Sequence, residues 1–113
     1  MKIMLVEDDR TIHYGLKQHL LKTHSEVISA YTFSEGERLI DPSVELYILD
    51  VTLPDGTGLE LVQLIRETQD TPVIFLSAHD DDITIDKGFM LGADDYITKP
   101  FRLVDLDNRI RSI

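Results

Sequence analysis

Five side chains able to do chemistry stand just past the ends of short apolar runs. Glu7 and Asp8 follow Ile3-Met4-Leu5-Val6, Asp50 follows Leu46-Tyr47-Ile48-Leu49, Ser77 follows Val73-Ile74-Phe75-Leu76, and Lys99 follows Tyr96-Ile97-Thr98. Taken alone, Asp50 has three readings: helix cap or turn residue, metal ligand, or nucleophile. The first is the default for an Asp beyond a strand. Three carboxylates brought together change that balance. At an effective dielectric near 20, each pair of unit charges about 4 Å apart costs about 4 kcal/mol, so a proton or a cation must offset the repulsion. An all-oxygen site suits a hard cation such as Mg²⁺, or Mn²⁺, which keeps waters and shares a phosphate with one or two carboxylates. A carboxylate is also a nucleophile towards phosphorus, and an ammonium and a hydroxyl can stabilise phosphoryl oxygens. Asp50, Glu7, Asp8, Ser77 and Lys99 would together make a phosphoryl-accepting site.

Such a site exists only if separate elements deliver these residues to one edge. The apolar runs Lys2–Val6, Val27–Tyr31, Leu46–Leu49, Pro72–Leu76 and Tyr96–Thr98 have few polar residues alternating with apolar ones, as in strands buried on both faces. Between them lie helical patterns. Ile12, Leu16 and Leu20 recur every four residues, and Asp9 stands where a cap would start that helix. Ser34-Glu35-Gly36-Glu37 and Thr57-Gly58-Leu59-Glu60 fit capping boxes, and the second leads into the stripe Leu61, Val62, Ile65. Ile85, Phe89 and Met90 suggest a fourth helix closing near Gly92, with Asp80, Asp81 and Asp82 at its solvated start. Leu103, Leu106, Ile110 and Ile113 mark a fifth, and its run to the last residue leads us to expect further chain beyond it. Five strand–helix units predict an α/β, flavodoxin-like (βα)5 doubly wound parallel sheet of strand order 2-1-3-4-5. That order puts the switch point between strands one and three, where Glu7 and Asp8 would meet Asp50. To bring Lys99 back to this rim straight after a strand, a cis Lys99–Pro100 bond is expected.

At 113 residues the chain makes one domain, 1–113, with no cysteine for a disulfide or thiolate metal site. No apolar run approaches the roughly 20 residues of a membrane span, so no membrane role and a cytoplasmic location are expected. The net charge of −10 argues against this domain gripping nucleic acid through phosphates. The histidines lack a metal-binding spacing: His13, His19 and His24 read as surface or packing residues. His79, two residues past Ser77, is a candidate for tuning dephosphorylation.

The Glu7-Asp8 pair, Asp50, Ser77-Ala78 and the segment Gly92-Ala93-Asp94-Asp95-Tyr96-Ile97-Thr98-Lys99-Pro100-Phe101 make the chain resemble the receiver domain of two-component response regulators. The last segment is similar to the OmpR/PhoB class, whose members usually carry a C-terminal winged-helix DNA-binding domain. The resemblance implies that Asp50 accepts a phosphoryl group from a sensor histidine kinase. It implies Mg²⁺ at Asp8, Asp50 and the Thr52 carbonyl, with Glu7 assisting through water. It also implies a switch pair, Ser77 and Tyr96, and a phosphoryl contact from Lys99. Output would then be a homodimer through the fourth helix, fifth strand and fifth helix, where Lys87, Asp94, Asp95, Asp105, Asp107, Arg109 and Arg111 lie. Asp95 with Arg109 is the expected bridge between subunits. DNA would be reached only through an output domain outside these residues.

Two positions depart from the class. Arg102 replaces a small polar cap, and Ile85 stands where the fourth helix usually carries a basic residue. Two other functions fit less well. A haloacid-dehalogenase-type enzyme needs a second Asp where Thr52 stands, and a flavin module needs a hydroxyl- and glycine-rich loop where Glu7-Asp8-Asp9 stands. The reading is therefore of a phosphoacceptor, not an enzyme turning over external substrates.

Overall fold

The computed structural model describes residues 1–113. Five strands, β1 (Lys2–Val6), β2 (Glu26–Ala30), β3 (Leu46–Leu49), β4 (Val73–Ser77) and β5 (Asp95–Thr98), form one sheet of order β2-β1-β3-β4-β5. Every neighbouring pair is parallel. The predicted fold and strand order are those observed. A two-residue antiparallel ribbon, Thr52–Leu53 with Gly56–Thr57, closes the loop after β3 around the Pro54-Asp55 turn. The helices are α1 (Arg10–Leu20), α2 (Phe33–Leu39), α3 (Gly58–Thr68), α4 (Asp82–Met90) and α5 (Leu103–Arg111).

Alternation along the strands divides the core between the two faces of the sheet. Ile3, Leu5, Ile48, Ile74, Leu76 and Ile97 pack with Leu16 and Leu20 of α1 and Leu106 and Ile110 of α5. Met4, Val6, Leu49 and Phe75 point the other way, onto Leu61, Val62 and Ile65 of α3. Burying both faces stabilises the sheet by about 25 cal/mol for each Å² of apolar surface removed from water. It also explains why β3 reads as an unbroken apolar run.

The sequence pattern misplaces several details. The buried stripe of α1 is His13, Leu16 and Leu20, whereas Ile12 is only half-buried. Thr32, not Ser34, caps α2: its hydroxyl accepts from the Glu35 amide at 3.1 Å, and the Glu35 carboxylate accepts from the Tyr31 amide. The Asp55 carboxylate also accepts from the Phe33 and Ser34 amides, so the turn after β3 helps to cap α2. The Thr57 cap of α3 forms as expected. So does Asp9 at α1, and within the acidic start of α4 it is Asp81 that caps, accepting from the Thr84 amide. Helix α4 stops two residues before Gly92, whose positive φ of 117° turns the chain away, yet Phe89 and Met90 face solvent and only Gly88 is buried. The Lys99–Pro100 peptide is cis, as expected. No helix is long and apolar enough to cross a membrane.

Candidate functional site

All five residues that the sequence assigns to one rim meet at the carboxyl ends of β1, β3, β4 and β5. β1 carries Glu7 and Asp8. The Glu7 amide donates to Ala30 O on β2 at 3.1 Å, and the Asp50 amide donates to Val6 O at 3.0 Å. These two bonds extend the ladder one residue past each strand and set the acids side by side. One carboxylate oxygen from each of Glu7, Asp8 and Asp50 lies within 4.8 Å of the others. Glu7 and Asp50 are buried, while Asp8 is exposed and leaves one side of the cluster open to solvent.

Lys99 Nζ lies between the two buried acids, 2.5 Å from Glu7 Oε1 and 2.9 Å from Asp50 Oδ2. The acids are thus crowded and one ammonium offsets part of their charge. Burial pushes the Glu7 carboxyl above its ordinary range, although the Lys99 bond opposes it. For Lys99, burial would lower the ammonium, but its bonds to Glu7 and Asp50 outweigh burial and raise it. The second Asp50 oxygen accepts only a long bond, 3.3 Å, from the Thr52 amide, which leaves it free to act.

Ser77 is fully buried at the end of β4, and its hydroxyl accepts from the His79 amide at 3.1 Å. Tyr96 on β5 is buried, its ring centroid 5.7 Å from that of Phe75, and its hydroxyl donates to His79 O at 2.7 Å. Burial raises the Tyr96 phenol above its ordinary range. Tyr96 thus points inward, its hydroxyl against the loop after β4. His79 Nε2 lies 2.7 Å from the Thr52 hydroxyl, so the loops after β3 and β4 touch beside Asp50.

Asp94, Asp95, Lys87, Asp105 and Arg109 lie on α4, β5, α5 and the loop before β5. Lys87 is exposed and makes no ion pair. Asp94 accepts from the Val73 amide at 2.8 Å and pairs with Arg66, and Asp105 pairs with Arg102. Arg109 reaches Asp95 within the same chain at 2.5 Å, and that bond raises the guanidinium. Asp107 pairs with His19 on α1, and Arg111 bonds Asn108.

Sequence reasoning missed two residues around the site. Gly58 begins α3 directly beneath Asp50; a Cβ there would come within 2.1 Å of Asp50 O. Its place at the first position after a capping Thr, one strand end from Asp50, was the available signal. Of the two readings the sequence leaves for His13, surface or packing, the structure shows packing, and it places the ring beside Glu7. Its spacing of three and seven from Leu16 and Leu20 marks the buried face.

A family model described as the response regulator receiver domain matches residues 3–111. The chain belongs to the response regulator receiver family. This receiver domain is 40% identical over 112 residues to the transcriptional regulatory protein CpxR of Escherichia coli strain K12, covering 99% of this chain and 48% of CpxR. Its structure is similar to the non-phosphorylated HemR receiver domain of Leptospira biflexa, with a TM-score of 0.92 and 38% identity over 98% of this chain and 91% of that one. It is likewise similar to DrrB of Thermotoga maritima, an OmpR/PhoB homolog, with a TM-score of 0.86 and 38% identity over 97% of this chain and 50% of that one. These likenesses agree with the OmpR/PhoB class. The receiver domain spans about half the length of the curated relatives it matches.

Proposed function

We propose that this receiver domain takes a phosphoryl group from a histidine kinase onto Asp50 and passes the change to a transcriptional output domain. The observation that carries the reading is the Lys99 ammonium held between two buried acids beside an exposed third. Three carboxylates with an open side form a donor set that fits a hard divalent cation. Glu7, Asp8, Asp50 and the Thr52 carbonyl would hold Mg²⁺, or Mn²⁺, and the bound cation would neutralise charge on the phosphoryl oxygens. An Asp50 oxygen attacks phosphorus as the P–N bond of the donor phosphohistidine breaks. The imidazole leaves with the bond's electron pair and takes up a proton. Lys99 turns an N–H towards the new oxygens, and the Ser77 hydroxyl donates to another. His79, against Thr52, lies where it governs water reaching the acyl phosphate. The domain acts as a phosphoryl acceptor and not as an enzyme on external substrates.

Phosphorylation replaces the Asp50 carboxylate charge by a phosphoryl group of about −2, a net gain of about one negative charge on this acidic rim. Ser77 turning to the new oxygens favours the inward Tyr96 and the surface of α4, β5 and α5 that accompanies it. That surface pairs with a second copy about a two-fold axis, and Asp95 and Arg109 exchange their contact within the chain for one across the interface. Exposed ion pairs are worth only about 0–1 kcal/mol each, so the dimer is weak and salt-sensitive. DNA contact belongs to an output domain outside these residues. The test has two arms. Acetyl phosphate should transfer one phosphoryl group per chain with Mg²⁺ and none with a chelator, and beryllofluoride should shift sedimentation towards a dimer at low salt. Chelator-insensitive labelling would refute the site reading. A domain that stays monomeric with the mimic at high concentration would refute the output reading.

A further inference from the structure

We propose that His13 is a positioning residue for the acidic rim: its ring N–H, donated from α1 to the Glu7 carbonyl, holds the backbone that presents Glu7 and Asp8 beside Asp50. The inference rests on the proposed cation-assisted chemistry at Asp50 and adds a residue to it.

The His13 side chain is 1% exposed, and its Nδ1 lies 2.9 Å from Glu7 O. A carbonyl oxygen only accepts, so Nδ1 carries the proton and donates. The ring stacks on Tyr31 at a centroid distance of 4.2 Å and an interplanar angle of 25°, and the Arg10 guanidinium lies over the Tyr31 ring, 4.3 Å from its centroid. The imidazole is therefore held in place before it makes its bond. Its second nitrogen, Nε2, is buried without a partner. Burying a lone pair without a donor is unfavourable, and an apolar residue at this position of the α1 stripe would avoid it. A packing role alone gives no reason for histidine here; the Nδ1 donor does.

What that donor holds is the turn between β1 and α1. The Glu7 amide is tied to β2, the Asp9 amide donates to the Glu7 carboxylate at 3.1 Å, and the Asp9 carboxylate caps α1. Every one of these bonds engages an amide or a side chain. His13 supplies the bond to the Glu7 carbonyl, the group that sets the direction of the peptide leading into Asp8. Three neighbouring carboxylates push this turn outwards, and the His13 bond resists that push before any cation arrives.

The test measures Mg²⁺ binding calorimetrically in the whole chain, with the melting temperature recorded separately. His13→Phe keeps a ring to stack on Tyr31 and removes the donor. His13→Asn carries an amide N–H at the place of Nδ1, and His13→Gln carries one at the place of Nε2. Mg²⁺ affinity should fall about threefold to tenfold in the Phe and Gln variants and return to within about twofold of the parent in the Asn variant, whatever the melting temperatures do. If the Phe variant does not fold, the comparison of Asn with Gln decides alone. Equal affinities in all folded variants, or affinities that follow melting temperature and not the donor's position, would overturn the proposal. A parent that does not bind Mg²⁺ at all would overturn the proposed function itself, and this inference with it.

Discussion

Replacing Lys99 by methionine removes the cation from the rim while keeping most of the side-chain volume. In the parent, Nζ lies 2.5 Å from Glu7 and 2.9 Å from Asp50. At an effective dielectric near 20 the bare attraction is about 6 kcal/mol for each contact, and desolvation of the ammonium offsets much of it. Breaking a buried ion pair typically costs about 3–5 kcal/mol because the remaining charge is left unpaired. Lys99 retains 17% side-chain exposure, which puts the expected loss near the lower end, about 3 kcal/mol. For a domain of this size that lowers the melting temperature by about 12 °C at neutral pH. The pH dependence gives the sharper signature. Burial raises the folded Glu7 carboxyl above its unfolded value, so its contribution to stability is present at acid pH and is lost as pH rises through the raised folded value. Without Lys99 the Glu7 carboxyl rises further. Lys99 itself, raised from 10.5, keeps its contribution until pH climbs above that value, so it does not change between neutral and mildly acid pH. The deficit of Lys99→Met should be largest near about pH 7.5 and shrink towards about pH 5 as Glu7 takes up a proton. Thermal unfolding followed by circular dichroism, in chelator, reads both effects. A variant as stable as the parent at neutral pH, or a deficit equal at both values, would refute the view that Lys99 compensates crowded acids.

Three further outcomes follow from the same geometry. Gly58→Ala would force a Cβ to within 2.1 Å of Asp50 O and 2.9 Å of Phe75, so urea titration should show a loss of at least about 3 kcal/mol, with Asp50 labelling lost in whatever remains folded. Arg102→Ser should stabilise by about 0.5–1 kcal/mol, read as a higher urea midpoint. The α5 cap has no side-chain bond now, a serine hydroxyl would supply one, and the exposed Arg102–Asp105 pair contributes little. Asp9→Ala should lower stability by about 1 kcal/mol in the same assay, because its carboxylate accepts from both the Thr11 and Ile12 amides.

The fold and the rim were legible because four of the five strands end on a reactive residue, and parallel topology sends those ends to one edge. Glu7, Asp8, Asp50, Ser77 and Lys99 needed only the strand order to be brought together. Details that depend on one residue of register were not legible. Thr32 and Ser34 are both hydroxyl residues with an acid three positions on, and only the chain's path shows that Thr32 is the cap. The α1 stripe was read through Ile12 because histidine does not count as apolar, yet His13 takes the buried position. The charges on α4, β5 and α5 posed a different problem. Asp95 and Arg109 were paired on the resemblance, but as a bridge between subunits, whereas here they meet within the chain; His19 with Asp107 lies 88 residues apart, and pairing across a fold leaves no periodic trace.

In the proposed function Asp50 alone accepts the phosphoryl group. The direct measurement is peptide mapping by mass spectrometry after acetyl phosphate treatment with Mg²⁺, on the parent and on Asp50→Ala. One acid-stable, base-labile phosphoryl group is expected on the peptide containing Asp50, and no label in the variant. Label on any other residue of the parent, or full labelling of Asp50→Ala, would contradict it.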